Sequence, residues 1–569
     1  MNAMQIQRII LWVIFSMSVL FLWDGWQRHT GHPSMFGGLT GTQQTAGQAP
    51  PSAGAKNAPT DASVPPAAPV ASSAGGAATE AVPAQASVAA TKAIRLGNDV
   101  LALDIDPMGG QIRRAELLKH RNSDDKTRNV ALMDDRPGAI YLAQTGLIGA
   151  PEGTNFPTHR SEFTFDSAGP VDLSSGANSA VLKMSAVSGG IKLLRTYTLE
   201  RGSYLVQVRD DITNVGTTAL TPTMYMQLTR DEHKVSGESR FYSTFTGPAI
   251  YTEATKFKKI SFGDIESGKA DHVANAPDGW VGMIQHYFVS AWVPAKGIER
   301  EFYTRKVDTN LYSVGIKQQV GELAPGATKE LSTRLYIGPQ DQNVLEKVSP
   351  GLDLVVDYGW LTVVAKPIYW LLEKLHSLVG NWGWAIVLLT IVVKTMFFPL
   401  QAASYRSMAR MKAVAPRLAT LKERFGDDRV KMNQAMMELY KQEKINPLGG
   451  CLPIVVQIPV FISLYWVLLA SVEMRNAPWL GWIHDLAAPD PYYILPLVMA
   501  ITMFVQVKLN PTPPDPMQAK MMMLMPLVFS VMFFFFPSGL VLYWLVNNVY
   551  SIAQQWVINR KFLGGAKKA

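Results

Sequence analysis

Five apolar stretches crowd the last third of this 569-residue chain, at 381–400, 451–471, 492–507, 521–536 and 539–557. In hydrocarbon every backbone N–H and C=O must find a partner within its own segment or a closed barrel, so such stretches read as membrane helices. Several are short of the roughly 20 residues that a hydrocarbon core of about 30 Å requires. Short helices thin the surrounding bilayer. The last two are parted only by Pro537-Ser538, a turn and helix breaker, before Gly539. The charges between the stretches set orientation. The segment 401–450 carries Arg406, Arg410, Lys412, Arg417, Lys422, Arg424, Arg429, Lys431, Lys441 and Lys444. The segment 472–491 has Arg475 against Glu473, Asp485 and Asp490. Lys508 and Lys520 flank 508–520, and Arg560, Lys561, Lys567 and Lys568 fill the tail 558–569. Basic loops stay in the cytoplasm. That places 401–450, 508–520 and the C-terminus inside and 472–491 outside.

The upstream sequence is of a different kind. Residues 1–28 hold an apolar run, Ile9 to Trp23, after Arg8. It reads as a signal anchor or as a cleaved signal peptide. Cleavage needs small residues, and Asp24-Gly25-Trp26-Gln27-Arg28 follows instead, so an uncleaved transmembrane anchor with a cytoplasmic N-terminus is expected. That makes six spans. Residues 29–92 are rich in Ala, Pro, Ser and Gly, and no Phe, Trp or Tyr occurs between Phe36 and Tyr141. A segment with so little to bury reads as a disordered linker. From 93 to 345 the pattern has period two. Leu101, Leu103 and Ile105 alternate with Ala102 and Asp104. Leu194–Leu199 and Tyr204–Val208 flank Glu200-Arg201-Gly202-Ser203 as a hairpin. Thr223–Leu228, Trp280–Trp292 and Leu331–Ile337 are further strand candidates. The expectation is an all-β sandwich of roughly 240 residues. Its acids and histidines scatter over turns as a solvated surface, with no catalytic constellation.

Residues 355–380 read as an amphipathic helix in the outer membrane interface. Thr362, Lys366, Glu373 and Ser377 form a polar stripe, and Trp360, Val364, Ile368, Leu371, Leu372 and Leu375 cover the rest. Lys366, Pro367, Glu373 and Lys374 oppose the rival reading, a spanning helix. Within 401–450, Gln401–Arg424 and Arg429–Lys444 read as two helices around Gly426-Asp427-Asp428. Met408, Met411, Met432, Met436 and Met437 supply contacts between the arms or a partner surface.

The net charge of +8 fits basic loops better than a nucleic-acid site, for which no motif is present. A single cysteine, Cys451, excludes an intrachain disulfide and a Cys-type zinc site. No ligand spacing among the histidines calls for a metal, and no cofactor is expected.

One residue stands out. The five stretches contain no Asp or Glu and one basic residue, Lys394. A charge within a span costs about 2.5–3.5 kcal/mol on insertion scales, which makes it a functional candidate. It sits about 9 Å from the cytoplasmic end at helical rise, so snorkelling is an equal reading from position alone. Polar neighbours shift the balance. Thr390 is one turn before it, Gln457 lies in the next stretch, and Asn547, Ser551 and Gln554 share a face of the last, with Asn548 and Gln555 beside it. They are interhelical glue or the lining of a wet groove that keeps the cation charged. The groove reading names Lys394, Thr390, Gln457, Asn547, Asn548 and Ser551 as its residues. No residue is expected to be catalytic.

Asn446-Pro447-Leu448-Gly449-Gly450-Cys451 with Pro453 and Gln457, Trp482-Ile483-His484-Asp485-Leu486 with Asp490-Pro491-Tyr492-Tyr493-Ile494-Leu495-Pro496, and Phe536-Pro537-Ser538-Gly539-Leu540-Val541-Leu542-Tyr543 resemble the YidC family of membrane protein insertases. The likeness covers about 353–561. The anchor and β region resemble the Gram-negative version. The resemblance implies an α+β membrane protein of the bacterial inner membrane with six transmembrane helices. Five would form the insertase core, and a periplasmic β-supersandwich, similar to sugar mutarotases, would complete it. It further implies a hydrophilic groove open to cytoplasm and lipid. The family's groove cation is typically arginine, and Lys394 stands at the matching position, keeping the charge without the bidentate fork.

The function expected is an insertase and chaperone that helps integral membrane proteins insert, fold and assemble, alone or with the Sec translocon. Nascent membrane proteins and lipids are the expected partners. Targeting machinery or the ribosome would engage the hairpin 401–450 and the tail. Two other classes remain open. A secondary transporter would ordinarily need intramembrane acids. A tethered periplasmic sugar-binding or mutarotase-like protein would need converging acid and base groups in the β region.

Overall fold

The computed structural model describes residues 93–167, 169–173, 176–235, 244–425, 428–443, 452–509, 523–524 and 530–562. The expected anchor 1–28, the linker 29–92, the motif Asn446–Cys451, nearly all of 508–520, much of 521–536 and the end of the tail lie outside the described residues. The chain divides into two compact units, Met1–Val355 and Val356–Ala569.

Among the described residues the first unit is a large β-sandwich of one ten-stranded and one nine-stranded sheet. Among the described residues the strands pair antiparallel, apart from the short match of Leu96 with Val171. Alternation marks the strands that bury one face. In Ile191–Glu200 the side chains of Ile191, Leu193, Arg195, Tyr197 and Leu199 are buried, and those between them are not. This strand and Leu205–Asn214 form the expected hairpin, with Leu199 opposite Val206. Gly202 turns the chain at φ +69°, and its N–H donates to Asp99. Leu101–Ile105 is a strand as read. Thr223–Leu228 and Leu331–Ile337 are the middles of Thr223–Asp231 and Thr328–Pro339.

The stretch Trp280–Trp292 is not one strand. It is a hairpin of Trp280–Ile284 and Phe288–Pro294, with Val281 opposite Trp292. Both strands are buried on both faces, so apolar residues run without a period-two signal. The turn Gln285-His286-Tyr287 contains no Gly, Pro, Asn or Asp to mark it. Two short helices complete this unit. α1 spans Phe262–Glu266 behind a capping box of Ser261 and Asp264, and α2 spans Gln342–Val348 behind Asp341.

The second unit is helical. α3 spans Thr362–Val379, α4 Trp382–Met396, α5 Phe398–Phe425, α6 Arg429–Gln442, α7 Leu452–Ala470, α8 Ile494–Leu509 and α9 Ser538–Phe562. α3 buries Ala365, Ile368, Tyr369 and Leu372 and leaves Val363 and Trp370 exposed. Gly380, at φ +66°, ends it, and Asn381 caps α4.

The apolar stretch 381–400 is not a single helix. α4 stops at Met396, and α5 leaves it at 60°. Pro399 has no N–H and would clash with the carbonyl of Thr395, so the first helix cannot continue through it. The second position of a new helix tolerates it. Among the described residues no single helix is long and apolar enough to cross a membrane. Trp382–Met396 with Phe398–Ser407 passes as a bent pair, and Val456–Ala470 and Ile494–Leu509 are shorter apolar helices.

α5 and α6 form the hairpin expected from the sequence. Asp428 starts α6 by accepting from the N–H groups of Val430 and Lys431. Between the arms pack Val414, Leu418, Leu439 and Tyr440, with Met411, Leu421 and Met436 against them. Met437 faces outward, so the methionines contribute to this contact without making its core.

Candidate functional site: a buried lysine between three helices

The loop between α7 and α8 positions the helices around Lys394. Asp490 is buried at its end. One carboxylate oxygen accepts from the Trp482 indole at 3.0 Å and from Tyr492 N–H at 3.0 Å, and the other accepts from Leu495 N–H at 2.7 Å. This ties the loop to the first turn of α8. The start of α9 is tied to the same loop. Ser538 donates to Ala488 O through both its hydroxyl and its N–H at 2.8 Å, and Gly539 N–H donates to Leu486 O at 2.9 Å. α4 is the third helix fastened there, with Asn381 Nδ2 donating to Pro478 O at 2.9 Å. Gly383, in the first turn of α4, has the Trp479 ring where a Cβ would be, 2.2 Å away. The two motifs at 482–496 and 536–543 thus join the starts of α8 and α9, and Pro478 and Trp479 of the same loop hold the start of α4.

Lys394 lies towards the other end. It occupies the last turn of α4 and is 5% exposed. Its ammonium donates to Ser551 Oγ at 2.9 Å and to Gln457 Oε1 at 3.4 Å. The acceptors are held in turn. Ser551 Oγ donates to Asn547 O at 2.7 Å, and Gln457 Nε2 donates to Asn547 Oδ1 at 2.9 Å. Gln554 Nε2 reaches Lys394 O at 3.5 Å. Among the described residues no carboxylate pairs with Lys394. A hydrogen bond to a charged group contributes about 1.5–3 kcal/mol. Two of them are comparable with the insertion cost of the charge, about 2.5–3.5 kcal/mol. Neutral dipoles can therefore hold this cation without neutralising it.

Four of the six residues read from the sequence, Lys394, Gln457, Asn547 and Ser551, form one hydrogen-bonded cluster across α4, α7 and α9. Thr390 is buried on the same helix, but its hydroxyl donates to Ile386 O at 2.7 Å, within α4. Asn548 is buried beside the cluster, and its Nδ2 has no hydrogen-bond partner among the described residues. Tyr405 and Tyr550 were not anticipated. Tyr550 OH lies 2.8 Å from Thr395 Oγ1, and Tyr405 OH donates to Ser551 O at 3.4 Å. Tyr550 stands one turn before Gln554 on the polar face of α9, a spacing visible in the sequence.

Residues 93–371 match the family described as YidC periplasmic domain, and residues 374–565 match the 60Kd inner membrane protein family. A membrane protein insertase YidC of Cupriavidus necator is 55% identical over 566 residues, covering 100% of this chain and 99% of its own. One of Ralstonia nicotianae is 54% identical over 569 residues, with 100% and 99% covered. The chain belongs to the YidC family of membrane protein insertases. A solved active YidC insertase, with its first transmembrane domain resolved, superposes with a TM-score of 0.38 at 18% identity over 80% of this chain and 90% of that one. YidC membership makes the chain a membrane protein insertase of the inner membrane, with a β-sandwich periplasmic domain. The family's named activity is insertion, not a covalent reaction.

Proposed function

We propose that Lys394 is the working cation of a hydrophilic groove through which this YidC-family insertase receives hydrophilic segments of its clients. The observation that carries this reading is a buried ammonium held, among the described residues, only by neutral oxygens. No fixed carboxylate among the described residues cancels its field, so acidic residues of a passing chain can answer it. An ammonium has three donors, and two are engaged among the described residues, which leaves one for water or client. Gln457, Asn547 and Ser551 hold the cation, and Thr390 and Asn548 add to the polar lining. The client's own apolar helix then partitions into lipid, which supplies the driving force.

In this reading the six spans are 1–28, 381–400, 451–471, 492–507, 521–536 and 539–557, with both termini in the cytoplasm. The span 381–400 ends in a bend. The stitched loop 472–491 closes the periplasmic end, and the basic hairpin 401–450 lies in the cytoplasm. The exposed Val363 and Trp370 of α3, with Lys366 and Lys374 beside them, suit a helix in the outer interface. The hairpin and tail are the surfaces for the Sec translocon, targeting machinery or ribosome.

The test is insertion by the purified protein in liposomes. Lys394→Glu lowers insertion of a client with an acidic translocated segment about tenfold, the effect of about 1.4 kcal/mol. A neutral counterpart is affected far less, and Lys394→Arg retains activity on both. Equal insertion of the acidic client by Lys394→Glu and the unaltered protein overturns the electrostatic role.

A further inference from the structure

We propose that Tyr405 and Tyr550 are positioning residues that clasp the break between α4 and α5 onto α9. They thereby fix the direction of the basic hairpin relative to Lys394. The break at Phe397 leaves the last carbonyls of α4 without the donors that a continuing helix would supply. At the joint bent by 60° the backbone ladder is thin, with Phe397 N–H donating to Val393 O and Gln401 N–H to Phe397 O while Pro399 has no N–H to give Thr395 O.

α9 supplies what the joint lacks. On the near side Thr395 Oγ1 donates to Ile391 O at 2.7 Å, so it accepts from the Tyr550 hydroxyl at 2.8 Å. On the far side the buried Tyr405 of α5 donates to Ser551 O and packs with Ala402 and Ile558. Gln554 reaches the Lys394 carbonyl between them. Positions 550, 551, 554 and 558 share one face of α9, so a single rotation of that helix engages both sides of the break. Ser551 also holds the ammonium. A swing of α5 about Phe397 therefore pulls on the residue that anchors Lys394, and the hairpin and the cation move together.

The test uses the full-length chain in nanodiscs, with Cys451→Ser and spin labels on cysteines replacing the exposed Val430 of α6 and Val549 of α9. Tyr405→Phe with Tyr550→Phe keeps both rings and removes both hydroxyls. The interspin distance distribution should broaden at least twofold while the thermal unfolding midpoint holds. Thr395→Val removes the Tyr550 bond from its other side and should reproduce Tyr550→Phe. An unchanged distribution in the double variant, or disagreement between Thr395→Val and Tyr550→Phe, overturns the clasp. The link to activity rests on the groove reading above. With the clasp loosened, the preference for acidic over neutral translocated segments should fall about threefold. A broadened distribution with undiminished preference supports the clasp and counts against the role of Lys394.

Discussion

Lys394 and Asp490 are both buried ions, and they are managed in opposite ways. Asp490 is saturated by the Trp482 indole and two backbone N–H groups, so it serves the fold. Asp490→Ala orphans those donors inside the loop. It should lower stability by about 1–3 kcal/mol, read as a fall in the unfolding midpoint, with no change in preference between acidic and neutral clients. Asp99 is a surface counterpart. The Gly202 N–H bonded to its carboxylate holds it below the usual carboxylate range, and Arg201 and Lys119 add to this. A lowered folded value means that its contribution is present above the unfolded value near 3.9 and lost as pH falls through the folded one. Asp99→Asn should therefore flatten the acid limb of the stability curve below about pH 4 and cost about 0.5 kcal/mol at neutral pH, since solvent screens the site. Lys394, Gln457 and Ser551 were legible because polar side chains are rare in apolar stretches. Tyr405 was not, because tyrosine is ordinary near membrane interfaces, and Tyr550 had only its one-turn spacing from Gln554 to mark it.

Helices and strands were legible where one face alone is buried. Ile191–Glu200 and the hairpin arms show their period. Trp280–Pro294 and 381–400 do not, the first because both faces are covered, the second because hydrophobicity is blind to a bend. The turn of α3 into α4 also depends on a close approach. At Gly383 a Cβ would overlap the Trp479 ring, so Gly383→Ala must displace the indole. That overpacking should cost about 1–3 kcal/mol. The expected result is a lower unfolding midpoint, and equal midpoints would mean that the loop gives way freely.

At the scale of the molecule the chain folds as two compact units. The site proposed for insertion lies within Val356–Ala569. Removing residues 52–342 should leave insertion by the helical unit within about twofold in liposomes, as expected of separately folding domains. A tethered sugar-binding protein would lose its function entirely with the same deletion. The sequence by itself determined the division into a β unit and an apolar helical unit, the charge pattern of the loops, and the single cation among the apolar stretches. These depend on residue type and period, which are local properties. Only the tertiary structure decided which polar residues meet that cation, that the loop between α7 and α8 fastens the starts of α4, α8 and α9, and by how much the chain bends after α4 stops at Met396. The contacts of Lys394 join residues 63 and 157 positions apart, Gln457 and Ser551. No local pattern specifies a contact of that range. It is set when buried donors and acceptors on separate helices must satisfy one another.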